Sequence, residues 1–235
     1  MVVVRTRLGP AIALCAAACG GGELAPGAGD DPGSGTATLA IDGTAYASPR
    51  RAGATARSEF DTAFTVHVSA GDQPITTGAV TVTSATGKVS LTFVDDIGWS
   101  ATAPGYDQVY VLDVVRGGDR LDGARVDGPD IHAIARPAEG AGIDATLPLL
   151  VEWRRELPAD AAALWFDRSA PTMVPDAGSY TLPGRTLRAD KMKSADHALH
   201  VLRINAVSPA GAAAGSTWRV AIENTVDVVT PPLPL

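Results

Sequence analysis

Short runs in which apolar and polar residues alternate are the main pattern of this chain. In its first half they lie at 38–41, 63–69, 79–83, 89–94, 109–115 and 130–135. Alternation with a period of two is typical of strands that bury one face. Turn-forming sequences such as Asp42-Gly43 and 84–87 separate the runs. The pattern predicts a first antiparallel β-sandwich over 36–136.

The alternation starts again after a short segment, 137–142, which we interpret as a linker. The later runs lie at 147–153, 163–167, 179–182, 199–205, 218–223 and 226–229. They predict a second sandwich over 143–235. We therefore predict an all-β fold with two tandem immunoglobulin-like antiparallel β-sandwich domains. A single larger sandwich is the alternative, because residues 36–60 could add strands to either half.

The first 35 residues lack this strand pattern and divide into two parts. Arg5 and Arg7 precede an apolar stretch and then three alanines at 16–18, which is typical of an export signal over 1–18. The apolar stretch is about 11 residues, whereas a membrane-spanning helix needs roughly 20. Residues 20–35 are mostly Gly, Ala, Pro, Asp and Ser. This composition predicts a flexible tether over 19–35, with a span of about 20–25 Å.

Cys19 lies between three alanines and three glycines, an arrangement that resembles the lipobox of bacterial lipoproteins. The resemblance implies that the Cys19 thiol is acylated and that Cys19 becomes the new N-terminus. It also implies an outer-membrane location, because Gly20 stands where aspartate is the usual inner-membrane retention signal. Ordinary cleavage after Ala18 is the alternative, and it would give a soluble secreted chain. Cys15 leaves with the signal in either case, so the folded part has no disulfide or thiolate metal site.

Composition and charge narrow the classes of partner. Hydrophobic residues make up 46% of the chain and charged residues only 19%, so the chain can bury a sizeable core. The formal net charge of −7 gives no electrostatic attraction to phosphate backbones, so we predict no nucleic-acid partner. The predicted partner is the membrane, through the N-terminal lipid. The sequence does not identify a protein or glycan partner.

Two sequences resemble metal sites, but neither has the pattern that such sites need. His197 and His200 would lie on opposite faces of a strand, and no glutamate follows the first histidine as in zinc proteases. We interpret them as exposed or edge-of-sheet imidazoles. The Gly/Asp-rich segment 117–123 is a single copy of a calcium-type repeat that works only in stacked copies, and we interpret it as a hairpin loop. We predict no metal and no cofactor.

The sequence gives no positive evidence for catalysis. It contains no G-x-S-x-G nucleophile motif, and His67 and His132 lie within strand patterns. Paired carboxylates for sugar cleavage are not excluded by sequence, but aromatic residues are only 5% of the chain, which is few for such a cleft. We therefore predict no catalytic residue and no enzyme activity.

The four tryptophans bear on the question of carbohydrate binding, because exposed indole rings stack on sugars. Trp153 and Trp218 alternate with apolar residues and are predicted to lie in the core. Trp99 lies close to Asp95 and Asp96, so it is the tryptophan that we consider for a surface site.

Most of the chain from residue 36 onward resembles a family of uncharacterised bacterial surface lipoproteins of the myxobacterial type. The resemblance follows the order of the lipobox, the Gly/Asp tether and the segments FTVHV, GAVTVTS, PGYDQVYVLDVVRGGD, LLVEWRR and AGSTWRVAIEN. The first half also resembles immunoglobulin-like or transthyretin-like modules. These motifs are turns and strand cores, and Cys19 is the one functional residue they imply. We expect a non-catalytic, outer-membrane-anchored lipoprotein with a binding, adhesion or scaffolding role. A carbohydrate-binding module is the alternative, and a hydrolase is less favoured.

Overall fold

Strands provide nearly all of the regular structure, which confirms the predicted all-β class. The computed structural model describes residues 24–187 and 193–232. Within these ranges the helical structure is a single 3-10 turn, Arg57–Glu59. No helix in the described ranges has the length and apolar character needed to cross a membrane.

Eleven strands precede the predicted linker at 137–142. They are β1 (Ser34–Gly35), β2 (Ala40–Pro49), β3 (Phe60–Ala70), β4 (Gln73–Pro74), β5 (Ala79–Ser84), β6 (Gly87–Ser90), β7 (Thr92–Val94), β8 (Gly98–Pro104), β9 (Val109–Arg116), β10 (Asp119–Asp127) and β11 (Ala133–Arg136). Seven more follow. They are β12 (Ala141–Gly142), β13 (Leu149–Arg154), β14 (Ala161–Phe166), β15 (Thr172–Val174), β16 (Ser179–Leu182), β17 (Ala195–Val207) and β18 (Thr217–Thr230).

These strands form three sheets. A five-stranded sheet has the order β1-β10-β9-β5-β6, and a three-stranded sheet has the order β11-β13-β16. The third sheet has ten strands and follows the path β15-β14-β17-β18-β2-β3-β8-β7, with β12 and β4 paired beside it. Pairing is antiparallel except where β18 meets β2 and β12. We call the third sheet the shared sheet, because both of the smaller sheets pack against it.

The five-stranded sheet and one half of the shared sheet enclose the first core. Val82 and Leu112 from the five-stranded sheet pack in the same cluster as Phe64 and Trp218 from the shared sheet. The three-stranded sheet and the other half of the shared sheet enclose the second core. There Trp153 of β13 belongs to a cluster with strands β14, β17 and β18. The molecule is thus two antiparallel sandwiches, as predicted, built on one continuous sheet.

Strand β18 passes through both cores. Trp218 and Ile222 lie in the first core, and Val226 and Val228 lie in the second. Two separate runs were predicted here, at 218–223 and 226–229, but the structure has one strand. The segment 143–235, predicted as the second sandwich, therefore also supplies a strand to the first core.

The segment predicted as a flexible tether over 19–35 is held to the body over residues 25–35, and for these residues the prediction is wrong. We call residues 25–35 the strap. The backbone N–H groups of Gly27 and Gly29 donate to Asp127 Oδ2 at 2.8 and 3.1 Å. Arg125 Nη2 donates to the carbonyl of Ala25 at 2.7 Å, and β1 pairs with β10. The Gly-rich composition here serves close packing as well as turns.

Only the beginning of segment 117–123 is a loop, which corrects its interpretation as a hairpin loop. Gly117 and Gly118 form the turn, and the rest is the start of β10. Leu121 is fully buried in the first core, which explains why the strand begins so early. Gly123, with a φ of +72°, lies where the register of β10 shifts, and its N–H donates to Asp113 Oδ1 at 2.8 Å. This is the geometry of a β-bulge.

Candidate functional site

The outer face of the shared sheet, opposite the two cores, carries a row of four interacting side chains. Trp165, His200, Glu223 and Tyr46 come from the adjacent strands β14, β17, β18 and β2. Each alternates with a core residue of its strand, so the same alternation that builds the cores directs these side chains outward. We call these four residues the outer row.

Contacts within the outer row fix its geometry. The rings of Trp165 and His200 stack with centroids 4.8 Å apart and planes 3° apart. His200 Nδ1 lies 2.5 Å from Glu223 Oε1, and Tyr46 donates its hydroxyl hydrogen to Glu223 Oε2. Burial and the adjacent Glu223 carboxylate raise the pKa of Tyr46, so its hydroxyl stays protonated. The row therefore presents aromatic surface beside a carboxylate held by two partners.

Apolar side chains surround the outer row. Leu202 and Ile204 of β17 are half-buried, and Met173 of β15 is 59% exposed. Ala163 and Ala221, which share this face, are nearly inaccessible to solvent. The solvent face of an antiparallel sheet is usually polar. An apolar patch with an ordered polar centre makes this face a candidate binding surface.

His197 belongs to a separate hydrogen-bonded group near the beginning of β17. Its Nδ1 lies 2.7 Å from Asp167 Oδ2, and its Nε2 lies 3.2 Å from Thr230 Oγ1. Burial raises the pKa of Asp167, but hydrogen bonds from His197 and from the Ala198 N–H outweigh it and lower the pKa overall. The order of hydroxyl, imidazole and carboxylate matches that of a catalytic triad. Thr230 is fully buried, however, so this group ties β14, β17 and β18 together.

The structure corrects the interpretation of His197 and His200 as exposed or edge-of-sheet imidazoles. Their side chains are only 11% and 18% exposed, and each ring contacts a carboxylate. The two rings do lie on opposite faces of β17, because His197 shares the face of the buried Leu199 and Val201. Their carboxylate partners come from other strands, which sequence spacing could not indicate.

A buried charged cluster lies between the two cores. Arg203 of β17 is fully buried, and its Nε donates to Asp176 Oδ2 at 3.0 Å. Its Nη1 donates to the carbonyl of Asp130 at 2.8 Å, and Trp153 Nε1 donates to Asp176 Oδ1 at 2.7 Å. Burial raises the pKa of Asp176, but these donors and the Ala159 N–H lower it overall. These side-chain and carbonyl partners of Arg203 and Asp176 all belong to the protein interior, so we interpret the cluster as a structural element.

His132 lies beside this cluster and is almost completely buried. Its Nε2 lies 3.0 Å from the carbonyl of Val201, so Nε2 carries the hydrogen. Its Nδ1 has no hydrogen-bond partner. Burial, and secondly the positive charge of Arg203, lower the pKa of His132 to about 4. The ring is therefore neutral near pH 7.

A cavity of about 340 Å³ lies at one end of β2 and β3. Asp42 and His67, which face each other across this strand pair, line it together with Asp72 and Phe93. Arg219 Nη1 donates to Asp42 Oδ1 at 2.7 Å, so that carboxylate already has a cationic partner. Nothing in this arrangement selects one ligand class.

The remaining predictions from the sequence have different outcomes. Cys19 lies outside the described residues, so its acylation stays a prediction. Trp153 and Trp218 lie in the cores, as predicted. Trp99 is the wrong candidate for a surface site, because it is 6% exposed and its Nε1 donates to the carbonyl of Ile75 at 2.8 Å. Within 24–187 and 193–232, no group of three or more potential ligands is placed to hold a metal ion.

Sequence reasoning missed the outer row. Its members are separated along the chain by more than 20 residues and meet only through strand pairing. The phase of alternation gave a partial signal, since Trp165 and His200 fall out of phase with the apolar residues of their strands. The pairing of β14 with β17 was not available from the sequence pattern.

Comparison with known proteins gives weak similarities of fold. No family model matches the sequence and no curated protein matches it, so the resemblance to myxobacterial surface lipoproteins stays a prediction. A biofilm-associated protein BSP domain matches 84% of this chain at 11% identity with a TM-score of 0.25, and the chain spans 30% of that protein. A structure from a 1.5-MDa bacterial ice-binding adhesin matches 81% of this chain at 16% identity with a TM-score of 0.26. The match covers 66% of the adhesin structure. Fibronectin(III)-like modules of CbhA from Clostridium thermocellum match 78% of this chain at 13% identity with a TM-score of 0.25. The match covers 92% of the CbhA structure. These values are too low to transfer any activity, partner or site residue to this chain.

Proposed function

We propose that this chain is a non-catalytic protein of the bacterial envelope, anchored by a lipid on Cys19 at the outer membrane or cell surface, with a binding, adhesion or scaffolding role. The observation that carries the non-catalytic part is the pairing of its ionisable side chains. His197 contacts Asp167, His200 contacts Glu223, and Arg203 contacts Asp176. These pairs hold strands together, as expected of a rigid scaffold that presents its surface to a partner.

The anchoring part is supported by the sequence around Cys19, where a charged and apolar leader ends in three alanines. Metabolic labelling with a fatty-acid analogue tests it. The wild type and Cys15→Ser should both incorporate the label, because Cys15 leaves with the signal. Cys19→Ser should lose the label and leave the membrane fraction. Full labelling of Cys19→Ser would contradict the anchor.

Carbohydrate binding is a second candidate, favoured by the outer row. Trp165 and Tyr46 supply aromatic surface, and His200 and Glu223 supply polar groups in between. Sugars are recognised by this combination, since their C–H faces pack on aromatic rings while their hydroxyls form hydrogen bonds. The occupant we propose for this face is a glycan of the envelope.

Binding of the full chain to purified peptidoglycan sacculi and to lipopolysaccharide tests the second candidate. Trp165→Ala should weaken binding by about thirtyfold or more, since losing an anchoring aromatic residue costs about 2 kcal/mol or more. Leu150→Ala, at an exposed position of β13 on the three-stranded sheet and away from this face, is the control and should bind like the wild type. Equal binding by the Trp165→Ala variant, or no binding by the wild type, would contradict carbohydrate binding at this face. Scaffolding would then remain as the proposed role.

A further inference from the structure

The strap is attached to β10 by side chains as well as by the backbone. Asp127 is the centre of the attachment, because its carboxylate accepts from two strap glycines while its own N–H donates to Asp30 Oδ1 at 2.8 Å. Arg125 Nε donates to Asp127 Oδ1 at 2.8 Å, which fixes the orientation of the carboxylate. Asp31 and Arg125 exchange backbone hydrogen bonds at 3.1 and 2.7 Å.

The backbone of the strap fits closely against the body. A Cβ atom on Gly33 would lie 2.5 Å from the carbonyl oxygen of Asp122, and one on Gly35 would lie 2.3 Å from that of Arg120. On the other side, a Cβ atom on Gly211 would lie 2.1 Å from Ser34. Only residues without a side chain fit at these points. The contacts between strap and body are thus specific to this sequence.

The place where the strap leaves the body is well defined. A cavity of about 270 Å³ at this place is lined by Pro26, Gly27, Asp127, Asp130, Leu157 and Asn205. Leu157 is 68% exposed here. Asn205 Nδ2 donates to the carbonyl of Asp127 at 2.7 Å, so this place is also one end of β17. We call it the strap end.

We propose that the strap fixes the orientation of the body on the membrane, with the strap end turned toward the bilayer surface. The inference rests on the proposed lipid anchor at Cys19. The bound segment begins at Ala25, so five residues separate it from Cys19, and the six Cα–Cα steps between Cys19 and Ala25 extend at most about 22 Å. If the whole segment to Thr36 were free, it would extend to about 60 Å. The shared sheet, with seven strand spacings along its path, is about 34 Å wide.

A free tether of 60 Å would let any side of the body face the membrane, whereas a reach of 22 Å keeps the strap end within about 22 Å of the bilayer surface and favours the orientation in which this end faces it. His197, at the other end of β17, is eight residues from Asn205, which is about 26 Å along an extended strand. In the proposed orientation, the group formed by His197 and Asp167 therefore lies on the side of the body away from the bilayer.

Two measurements on the full chain test this inference. In solution, amide hydrogen exchange reports whether the strap is bound. Gly27 and Gly29 should be protected in the wild type and lose protection by about tenfold or more in Asp127→Ala, because both lose their acceptor. Asp122→Ala is the matched control, since the Asp122 side chain lies on the same strand and contacts Arg120 rather than the strap.

On vesicles of phosphatidylcholine with a headgroup acceptor dye, energy transfer from a single donor dye reports orientation. The lipidated chain is labelled at Leu157→Cys, at the strap end, or at Arg168→Cys, next to Asp167. We expect stronger energy transfer from the dye at position 157 than from the dye at position 168. Asp127→Ala should abolish this difference.

Equal transfer from the two positions in the wild type would overturn the inference, as would absence of protection at Gly27 and Gly29. If the strap is protected but the chain does not bind the vesicles, the lipid anchor itself is wrong and the orientation falls with it. The Cys19→Ser chain gives the background energy transfer without membrane attachment. Failure of the lipid anchor and failure of the orientation are therefore distinguishable.

Discussion

His132 gives the molecule a specific sensitivity to acid. Its pKa is about 4 in the folded protein because of burial and Arg203, whereas an unfolded chain has a histidine pKa near 6.5. Between these values the unfolded state binds a proton that the folded state does not. The contribution of His132 to the free energy of unfolding is therefore fully present above pH 6.5 and is lost as the pH drops toward 4. The loss amounts to about 3 kcal/mol.

Denaturation with urea at pH 7.5 and at pH 4.5 checks this expectation. The wild type should lose stability between the two values, and His132→Gln should lose much less, even though it starts from a lower stability. The same pair of measurements on His67→Asn, at an exposed position of β3, separates the effect from histidine titration in general. Parallel losses in the wild type and His132→Gln would show that His132 is not responsible.

Trp153 supports the second core through both its ring and its N–H. It is 3% exposed and donates to the buried Asp176 carboxylate. We expect Trp153→Ala to lower the free energy of unfolding by about 3–5 kcal/mol, from lost burial and the remaining cavity. Leu157→Ala, at a position 68% exposed, should change it by less than about 0.5 kcal/mol. An unchanged denaturation midpoint for Trp153→Ala would contradict the core position.

The core around Trp153 shows what alternation leaves open. From alternation alone, Leu202 and Val220 are candidates for the same core as Trp153, but Val220 lies in the first core and Leu202 on the outer face. The residues of β18 that share a core with Trp153 are Val226 and Val228. Alternation indicates which side of a strand is buried, but it does not indicate where along a strand one core ends and the next begins.

At the scale of elements, the runs of alternation predicted most strands, and the misses have identifiable causes. Strand β8 was missed because its sequence is rich in Gly, Ser, Ala and Thr rather than large apolar residues. Strand β10 was missed because the glycines and aspartates of 117–123 were taken as loop signals. The strap was missed for the same reason, since glycine composition alone does not distinguish a free linker from a closely packed segment.

Gly35 provides a test of the close fit of the strap. We expect Gly35→Ala to destabilise the protein by about 1–3 kcal/mol, because the added methyl group would collide with the carbonyls of Arg120 and Gly211. The amide of Thr36, which donates to the Arg120 carbonyl at 3.0 Å, should also exchange faster. Gly118→Ala is the control, since a Cβ atom there meets no neighbour within 4 Å. Equal melting temperatures of the two variants would contradict the close fit.

At the scale of the molecule, β17 and β18 connect the two sandwiches, and we expect them to unfold together. A chain of residues 24–136 alone lacks β18, so its core loses Trp218, Val220 and Ile222. The free-energy cost of losing several core residues at once exceeds the usual free energy of unfolding of a domain, which is about 5–15 kcal/mol. This fragment should be unfolded by circular dichroism, while residues 24–232 should show one cooperative transition. A folded 24–136 fragment would show that the first sandwich is independent.

The shared sheet ends in two very short strands, β7 and β15, of three residues each. Long exposed edges invite strand pairing between molecules, and short ones are a common protection against it. Asp95 and Asp96 directly follow β7, which adds negative charge beside that edge. Copies crowded side by side would therefore repel one another at this edge rather than pair strand to strand. The two short edges thus limit strand pairing between copies of this ten-stranded sheet, even at a high local concentration.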